Sequence, residues 1–247
     1  MNIFTGLVLG VVQGLTEFLP VSSSGHLVLV QSIVPSFAQP GVLFDVVLHL
    51  GTLFAILVYF RKKILRLKKD YIILILIGSV PAFVIGYFFK DSLELLFLST
   101  KVVGLALITT GFMNLFTDRF ETKFAKVSKV ASFTIGIAQA FAIIPGISRS
   151  GSTIFAGVAQ KIDRKKAAEF SFILSIPAVL GANVLQFLSY SSETIGSFSF
   201  YFVGFIAAFI SGFVAINILF KFLTKRNFKL FGFYCLIIGC LAFFTGA

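Results

Sequence analysis

The chain is 247 residues long, 57% hydrophobic and only 13% charged, with 21 Lys and Arg against 10 Asp and Glu for a formal net charge of +11. Its mean hydropathy is +1.00. Soluble domains carry about a quarter charged residues, so this balance excludes a soluble fold and points to an all-α polytopic membrane protein.

In chain order the apolar sequence divides into eight stretches. The first covers residues 3–34. No Lys or Arg precedes Arg61 and Glu17 interrupts the run, so it does not read as a cleavable signal and is expected to stay in the mature protein. The cluster Ser22-Ser23-Ser24-Gly25-His26 lies near its middle, just after Pro20. Each half is too short to cross comfortably, and a re-entrant helical hairpin is expected. Runs at 42–60, 71–89 and 102–117 then approach the ~20 residues that span a bilayer. A second interrupted stretch, 130–160, holds Ser148-Arg149-Ser150-Gly151 after Pro145. Runs at 167–188, 198–220 and 230–244 complete six spans. Irregular backbone at membrane depth survives only inside protein or against a wet cavity, so the two hairpins are expected to meet within the bundle.

The two clusters are in register. A shift of 126 carries Gly10 to Gly136, Gln13 to Gln139, Ser22 to Ser148, Ser24 to Ser150, Gly78 to Gly204 and Gly86 to Gly212, and a shift of 128 carries Gly104 to Gly232 and Gly111 to Gly239. The sequence therefore reads as two units, 1–120 and 127–247, within a single integral membrane domain. Each has one hairpin and three spans, an odd number of crossings, so the second is expected to be inverted relative to the first. Inverted repeats with broken helices place a site at the repeat interface.

Charge placement agrees. Of the 21 basic residues, 18 fall in four loop segments, 61–69, 119–129, 161–166 and 221–229, which lie on one side if 3–34 and 130–160 are hairpins. The positive-inside rule makes that side cytoplasmic. The basic loops thus read as orientation signals and contacts to anionic lipid, with no nucleic-acid partner. Arg149 remains as an intramembrane exception, and such residues are functional by default.

Gln13 and Glu17 are four apart and share a helix face. Pro20 ends that helix, and the serines can cap the next, leaving backbone N–H groups aimed at an anion. Ser23 and His26 are three apart, so the imidazole can approach the hydroxyl and act as its base. Ser148 begins a second capped helix, with Arg149 at the position equivalent to Ser23. An Arg beside two helix N-termini suits phosphate oxygens and the charge they develop in transfer. The bland readings stand alongside: Glu17 as the structural partner of a buried Arg149, His26 as an ordinary interfacial residue, and Ser22 and Ser148 as caps only.

The run from Gln13 to His26, Gln-Gly-Leu-Thr-Glu-Phe-Leu-Pro-Val-Ser-Ser-Ser-Gly-His, resembles the (E/Q)xxxE plus PVSSxGH signature of the undecaprenyl-diphosphate phosphatases of the bacitracin-resistance type. Pro145 to Thr153 resembles their PGxSRSxxT signature. The resemblance implies hydrolysis of the terminal phosphate of a C55 polyprenyl diphosphate, recycling of the lipid carrier for cell-wall synthesis, and bacitracin resistance. Carried over, Glu17, Ser23, His26 and Arg149 are the catalytic residues, with Ser23 as nucleophile, His26 as its proton partner and Arg149 as phosphate clamp. Ser22, Ser24, Ser148, Ser150 and Thr153 join Arg149 in binding phosphate. A divalent cation, Mg²⁺ or Ca²⁺, is implied, held by Glu17 and Gln13. Many family members have a carboxylate where this chain has Gln13, and a neutral amide binds such ions more weakly. The implied setting is the bacterial plasma membrane, with membrane lipids around the protein, an extracytoplasmic site, and a homodimer left open. A polyprenyl-phosphate or anion carrier is the alternative from another class.

Asp45 and His49 form a one-turn pair near the outer start of a span and read as a hydrated boundary pair before they read as part of the site's mouth. Glu169 reads as a surface partner of Lys165 and Lys166, and Cys235 and Cys240 as packing residues without a disulfide. Most of the 33 Phe residues are expected to face lipid or pack. The topology predicts that cysteines introduced at Ser36 and Ser128 react with an impermeant maleimide from opposite sides of intact cells or spheroplasts. Labelling of both from one side contradicts the three crossings between them.

Overall fold

The computed structural model describes residues 3–33, 43–123, 126–188, 197–224 and 227–246. The hairpin and span ends at Val34 and Val42, and the label position Ser36, lie outside the described residues. These contain helices and no strands: α1 (Ile3–Phe18), α2 (Ser23–Ile33), α3 (Leu43–Tyr59), α4 (Arg61–Ile64), α5 (Lys69–Phe88), α6 (Lys90–Leu96), α7 (Thr100–Thr117), α8 (Lys129–Phe141), α9 (Arg149–Ala159), α10 (Arg164–Leu188), α11 (Phe198–Thr224) and α12 (Lys229–Thr245).

Four of the six expected spans, α5, α7, α10 and α11, are long and apolar enough to cross a membrane. The other two, α3 and α12, are apolar but have 17 residues each, about 25 Å of helix at 1.5 Å per residue. Both interrupted stretches break as expected, between α1 and α2 and between α8 and α9. Leu76, Phe83, Phe112, Phe233 and Ile237 are exposed, so large apolar side chains face outward where acyl chains would cover them. The chain is a multi-pass membrane protein.

The interior holds aliphatic and aromatic side chains with small and polar residues among them. Phe18, Phe60, Phe172 and Phe220 meet where α1, α3, α10 and α11 converge, with Phe18 and Phe172 edge to face at 5.4 Å. Elsewhere the helices touch backbone to backbone. Helix α1 packs along α11, and a Cβ on Gly10 would stand 2.4 Å from the Gly204 carbonyl oxygen. Helix α8 packs along α5, where a Cβ on Gly136 would stand 2.3 Å from the Gly78 carbonyl oxygen. Helices α7 and α12 pair through Gly104 against Gly239 and Gly111 against Gly232. Lipid tails are as apolar as leucine, so close backbone packing replaces the hydrophobic effect as the force between such helices.

The helix breaks would leave bare carbonyls in the interior, and neighbouring side chains satisfy them. The Pro20 carbonyl accepts from Asn114 Nδ2 at 2.6 Å and Cys235 Sγ at 3.7 Å. The Gly146 carbonyl accepts from Thr110 Oγ1 at 2.8 Å, and Thr110 in turn accepts from the Ser148 N–H at 3.0 Å. Gly146 has φ +97°, a left-handed conformation that favours glycine. The tips touch: a Cβ on Gly25 would lie 3.0 Å from the Gly146 Cα. At the basic end, Glu169 pairs with Lys63 of α4 as well as with Lys166. Its main partner is thus distant in sequence and ties α4 to α10. Cys235 and Cys240 are both free thiols.

The glycine seams make a sharp stability contrast. G136A drives a methyl into the Gly78 backbone, whereas a Cβ on Gly86 meets nothing closer than 3.6 Å and one on Gly181 nothing within 4 Å. Overpacking of this kind costs about 1–3 kcal/mol, while Gly to Ala in an open helix position gains up to about 1 kcal/mol. Thermal unfolding in detergent is expected to show a lower midpoint for G136A and an unchanged or higher one for G86A and G181A.

Candidate active site

The site lies where the two helix breaks meet. Ser22 and Ser148 stand at equivalent points, each before the first residue of a helix. Ser148 Oγ accepts from the Gly151 N–H at 3.1 Å, and Ser22 Oγ from the Gly25 N–H at 3.4 Å. Ser23 and Arg149 therefore open α2 and α9, and their side chains leave the helix starts toward α1. Ser22 has φ +70°, a strained conformation for a residue with a Cβ, and such outliers gather at functional sites.

Glu17 is the hub. Its Oε1 accepts from Arg149 Nη2 in an ion pair, and its Oε2 accepts from Ser23 Oγ at 2.5 Å and from Gln13 Nε2 at 3.1 Å. Glu17 and Gln13 are buried, and the Arg149 side chain is only 15% exposed. Two polar atoms at this hub lack a protein partner: Arg149 Nη1 and Gln13 Oε1. A cation donor and an amide oxygen are left open beside a serine hydroxyl that is already held by a carboxylate.

Five of the residues singled out in the sequence hold the site from behind. Ser22 Oγ and Ser24 Oγ are 3.3 Å apart, and Ser148 Oγ and Ser150 Oγ 3.2 Å apart. Ser150 donates to the Leu19 carbonyl at 3.1 Å, stitching the second tip to the first. Thr153 donates to the Arg149 carbonyl at 2.7 Å and shares a 2.5 Å hydrogen bond with Ser171 of α10. Thr153 thus fastens the base of Arg149 with its hydroxyl.

His26 departs from its expected place. Its Nδ1 donates to the Ser22 carbonyl at 2.7 Å, and its Nε2 lies 2.7 Å from the Tyr234 hydroxyl of α12. The carbonyl can only accept, so in the neutral ring Nε2 is the acceptor and Tyr234 the donor. Both nitrogens are engaged away from Ser23, whose hydroxyl turns to Glu17 instead. His49, read from sequence as a boundary residue, lies at the site: its Nε2 is 3.9 Å from Glu17 Oε2 and its Nδ1 donates to the Asp45 carbonyl at 2.7 Å. The signal for His49 was its one-turn pairing with Asp45. No sequence signal marked Tyr234.

A divalent cation needs a shell of oxygen ligands, and Mg²⁺ typically takes one or two carboxylates plus substrate phosphates. Among the described residues no three His, Cys, Asp or Glu side chains gather in a metal-binding group. Gln13 Oε1 is a free buried oxygen beside the Glu17 carboxylate. These residues fit a cation that draws the rest of its shell from a bound diphosphate.

The His26–Tyr234 bond can be tested without substrate. The chain has two histidines, so its ¹⁵N-histidine spectrum is simple. Y234F is expected to move the His26 Nε2 resonance to that of a ring nitrogen without a donor, with Nδ1 still protonated. An unmoved Nε2 shift contradicts the bond.

Comparison with known proteins places this geometry in a family. Residues 6–241 match the family described as bacitracin resistance protein BacA. An "Undecaprenyl-diphosphatase" of Carboxydothermus hydrogenoformans is 42% identical, covering 97% of this chain and 95% of its own length. One of Syntrophotalea carbinolica is 38% identical over 98% of both chains, and "Undecaprenyl-diphosphatase 4" of Bacillus cereus is 38% identical over 98% of this chain and 96% of its own. With near-complete coverage at these identities, the chain belongs to the bacitracin resistance protein BacA family.

Proposed function

We propose that this protein is an integral membrane phosphatase that hydrolyses undecaprenyl diphosphate to undecaprenyl phosphate and phosphate, returning the lipid carrier to cell-wall synthesis. Abundant enzyme then confers resistance to bacitracin. The observation that carries the reading is the hub itself: a serine hydroxyl held by a carboxylate, beside an arginine with one N–H group free. A carrier has no use for a serine hydroxyl held this way, and the relatives carry a hydrolase name.

In the proposed reaction the polyprenyl tail stays in the bilayer while the diphosphate enters between the tips. Arg149 Nη1 takes a phosphate oxygen while Nη2 stays on Glu17, and the N-termini of α2 and α9 add partial positive charge. Ser23 Oγ attacks the terminal phosphorus and its proton passes to Glu17. The bond from that phosphorus to the bridging oxygen breaks, and undecaprenyl phosphate leaves with the electron pair. Water then attacks the phosphoserine phosphorus, and the bond from phosphorus to Ser23 Oγ breaks. Oγ takes back the proton held on Glu17, and the water's oxygen and protons leave as dihydrogen phosphate. His26 fixes the Ser22 carbonyl, and so the peptide that carries Ser23. Gln13 Oε1 would hold a divalent cation together with the diphosphate oxygens, beside Glu17. Such an ion supplies neutralisation of the diphosphate charge.

The inverted repeat belongs to the same proposal. Its support is that the seams exchange under the 126- and 128-residue shifts: Gly10 against Gly204 becomes Gly136 against Gly78, and Gly104 against Gly239 becomes Gly232 against Gly111. Together with the basic loops, this orientation has the first hairpin, and with it the site, opening to the extracytoplasmic side of the bacterial plasma membrane.

Phosphate release from farnesyl diphosphate in detergent tests the activity. S23A and E17Q are each expected to lose about 10²–10³-fold or more in kcat. R149K keeps the charge but not the planar fork and is expected to lose about as much. Wild-type turnover by S23A eliminates the covalent route, and trapping of phosphorylated Ser23 supports it. Absence of phosphate release by the wild type overturns the phosphatase reading.

A further inference from the structure

His49 is the polar group at the hub that the proposed reaction leaves without a task. It sits on α3, its side chain 29% exposed, and shares neither hairpin. In the neutral ring the hydrogen bond to the Asp45 carbonyl places the proton on Nδ1 and leaves Nε2 an acceptor, turned toward Glu17 Oε2 at 3.9 Å. That oxygen is the same one that holds Ser23. A lone pair and a carboxylate oxygen facing each other at this distance leave a gap about 1 Å longer than a hydrogen bond.

The reaction removes one of the two hydrogen bonds on Oε2, that from Ser23, and leaves the one from Gln13. When Ser23 Oγ moves to phosphorus, its proton goes to Oε2 and its hydrogen bond there is lost. Glu17 then has a hydroxyl to donate, and His49 Nε2 faces it as an acceptor from α3. Resting on the phosphatase reading above, we propose that His49 is the positioning residue for Glu17, accepting the hydrogen bond from Oε2 once Ser23 has left and holding the carboxyl in place to return the proton. No covalent bond to His49 is made or broken, and its Nδ1–H goes on donating to the Asp45 carbonyl throughout.

This role needs an acceptor at the position of Nε2, which the amide of glutamine supplies and which asparagine is a carbon too short to reach. Leucine fills the space with no acceptor. The test is kcat and KM for phosphate release from farnesyl diphosphate by the purified full-length protein. H49Q is expected within about 3-fold of wild-type kcat, and H49N and H49L at least 10-fold lower, a loss of about 1.4 kcal/mol or more. KM should change by less than 2-fold, because the contact forms only after substrate is bound. A merely structural histidine would not separate glutamine from asparagine. H49Q falling with H49N, or H49N and H49L retaining wild-type kcat, overturns the proposal. Misfolding of H49L leaves the decision to the glutamine–asparagine pair. A wild-type protein that releases no phosphate defeats the phosphatase reading instead, so the two failures are distinct.

Discussion

The ion pair between Glu17 and Arg149 is the constraint around which the rest is arranged. It joins residues 132 positions apart and stands among buried side chains, where an unpaired charge costs several kcal/mol. Each helix break exists to deliver one of its members. A continuous α1–α2 helix would carry Ser23 past Glu17, and a continuous α8–α9 helix would give Arg149 no approach to α1. The strain at Ser22, the capped helix starts and the side chains that satisfy the Pro20 and Gly146 carbonyls all serve to keep two interrupted helices in contact at one point.

Much of this was legible because the setting is apolar. In a stretch that must cross lipid, a Glu, a His and three serines stand out against the sequence, and the same holds for Arg149. The span positions followed from length and hydropathy, and the breaks from Pro20 and Pro145. Illegible were contacts set by how helices rotate against each other. Spacing alone put His26 beside Ser23, but Ser23 is the first residue of α2 and points back to α1, while the ring one turn on reaches the Ser22 carbonyl and Tyr234. Tyr234 comes from a helix 208 residues away, and nothing local in its sequence distinguishes it from the aromatic residues that face lipid. His49 was visible only as half of a pair with Asp45, and that pairing is to a backbone carbonyl.

The hydroxyls of the two signatures divide into one held on the Glu17 carboxylate and several that fasten the frame. Ser150, Thr153 and Ser148 spend their hydrogen bonds on backbone groups or on each other, so the frame is set before any ligand arrives. Preorganised donors of this kind are worth most in a site closed to water, because no reorganisation is needed when charge develops. At the hub itself, one guanidinium nitrogen and one amide oxygen are left without a protein partner.

The pairing of α1 with α11 has a consequence for biosynthesis. Helix α1 rests against one that is made nearly two hundred residues later, and through Gly10 and Gly14 it offers that partner bare backbone. Until α11 is made, the α1 segment has no wall to lie against, and Glu17 waits for α9 to bring Arg149. The nascent chain must therefore shelter this segment within the insertion machinery or hold it at the lipid surface. Loss of the C-terminal third would strip α1 of its α11 partner, however intact the signature it carries.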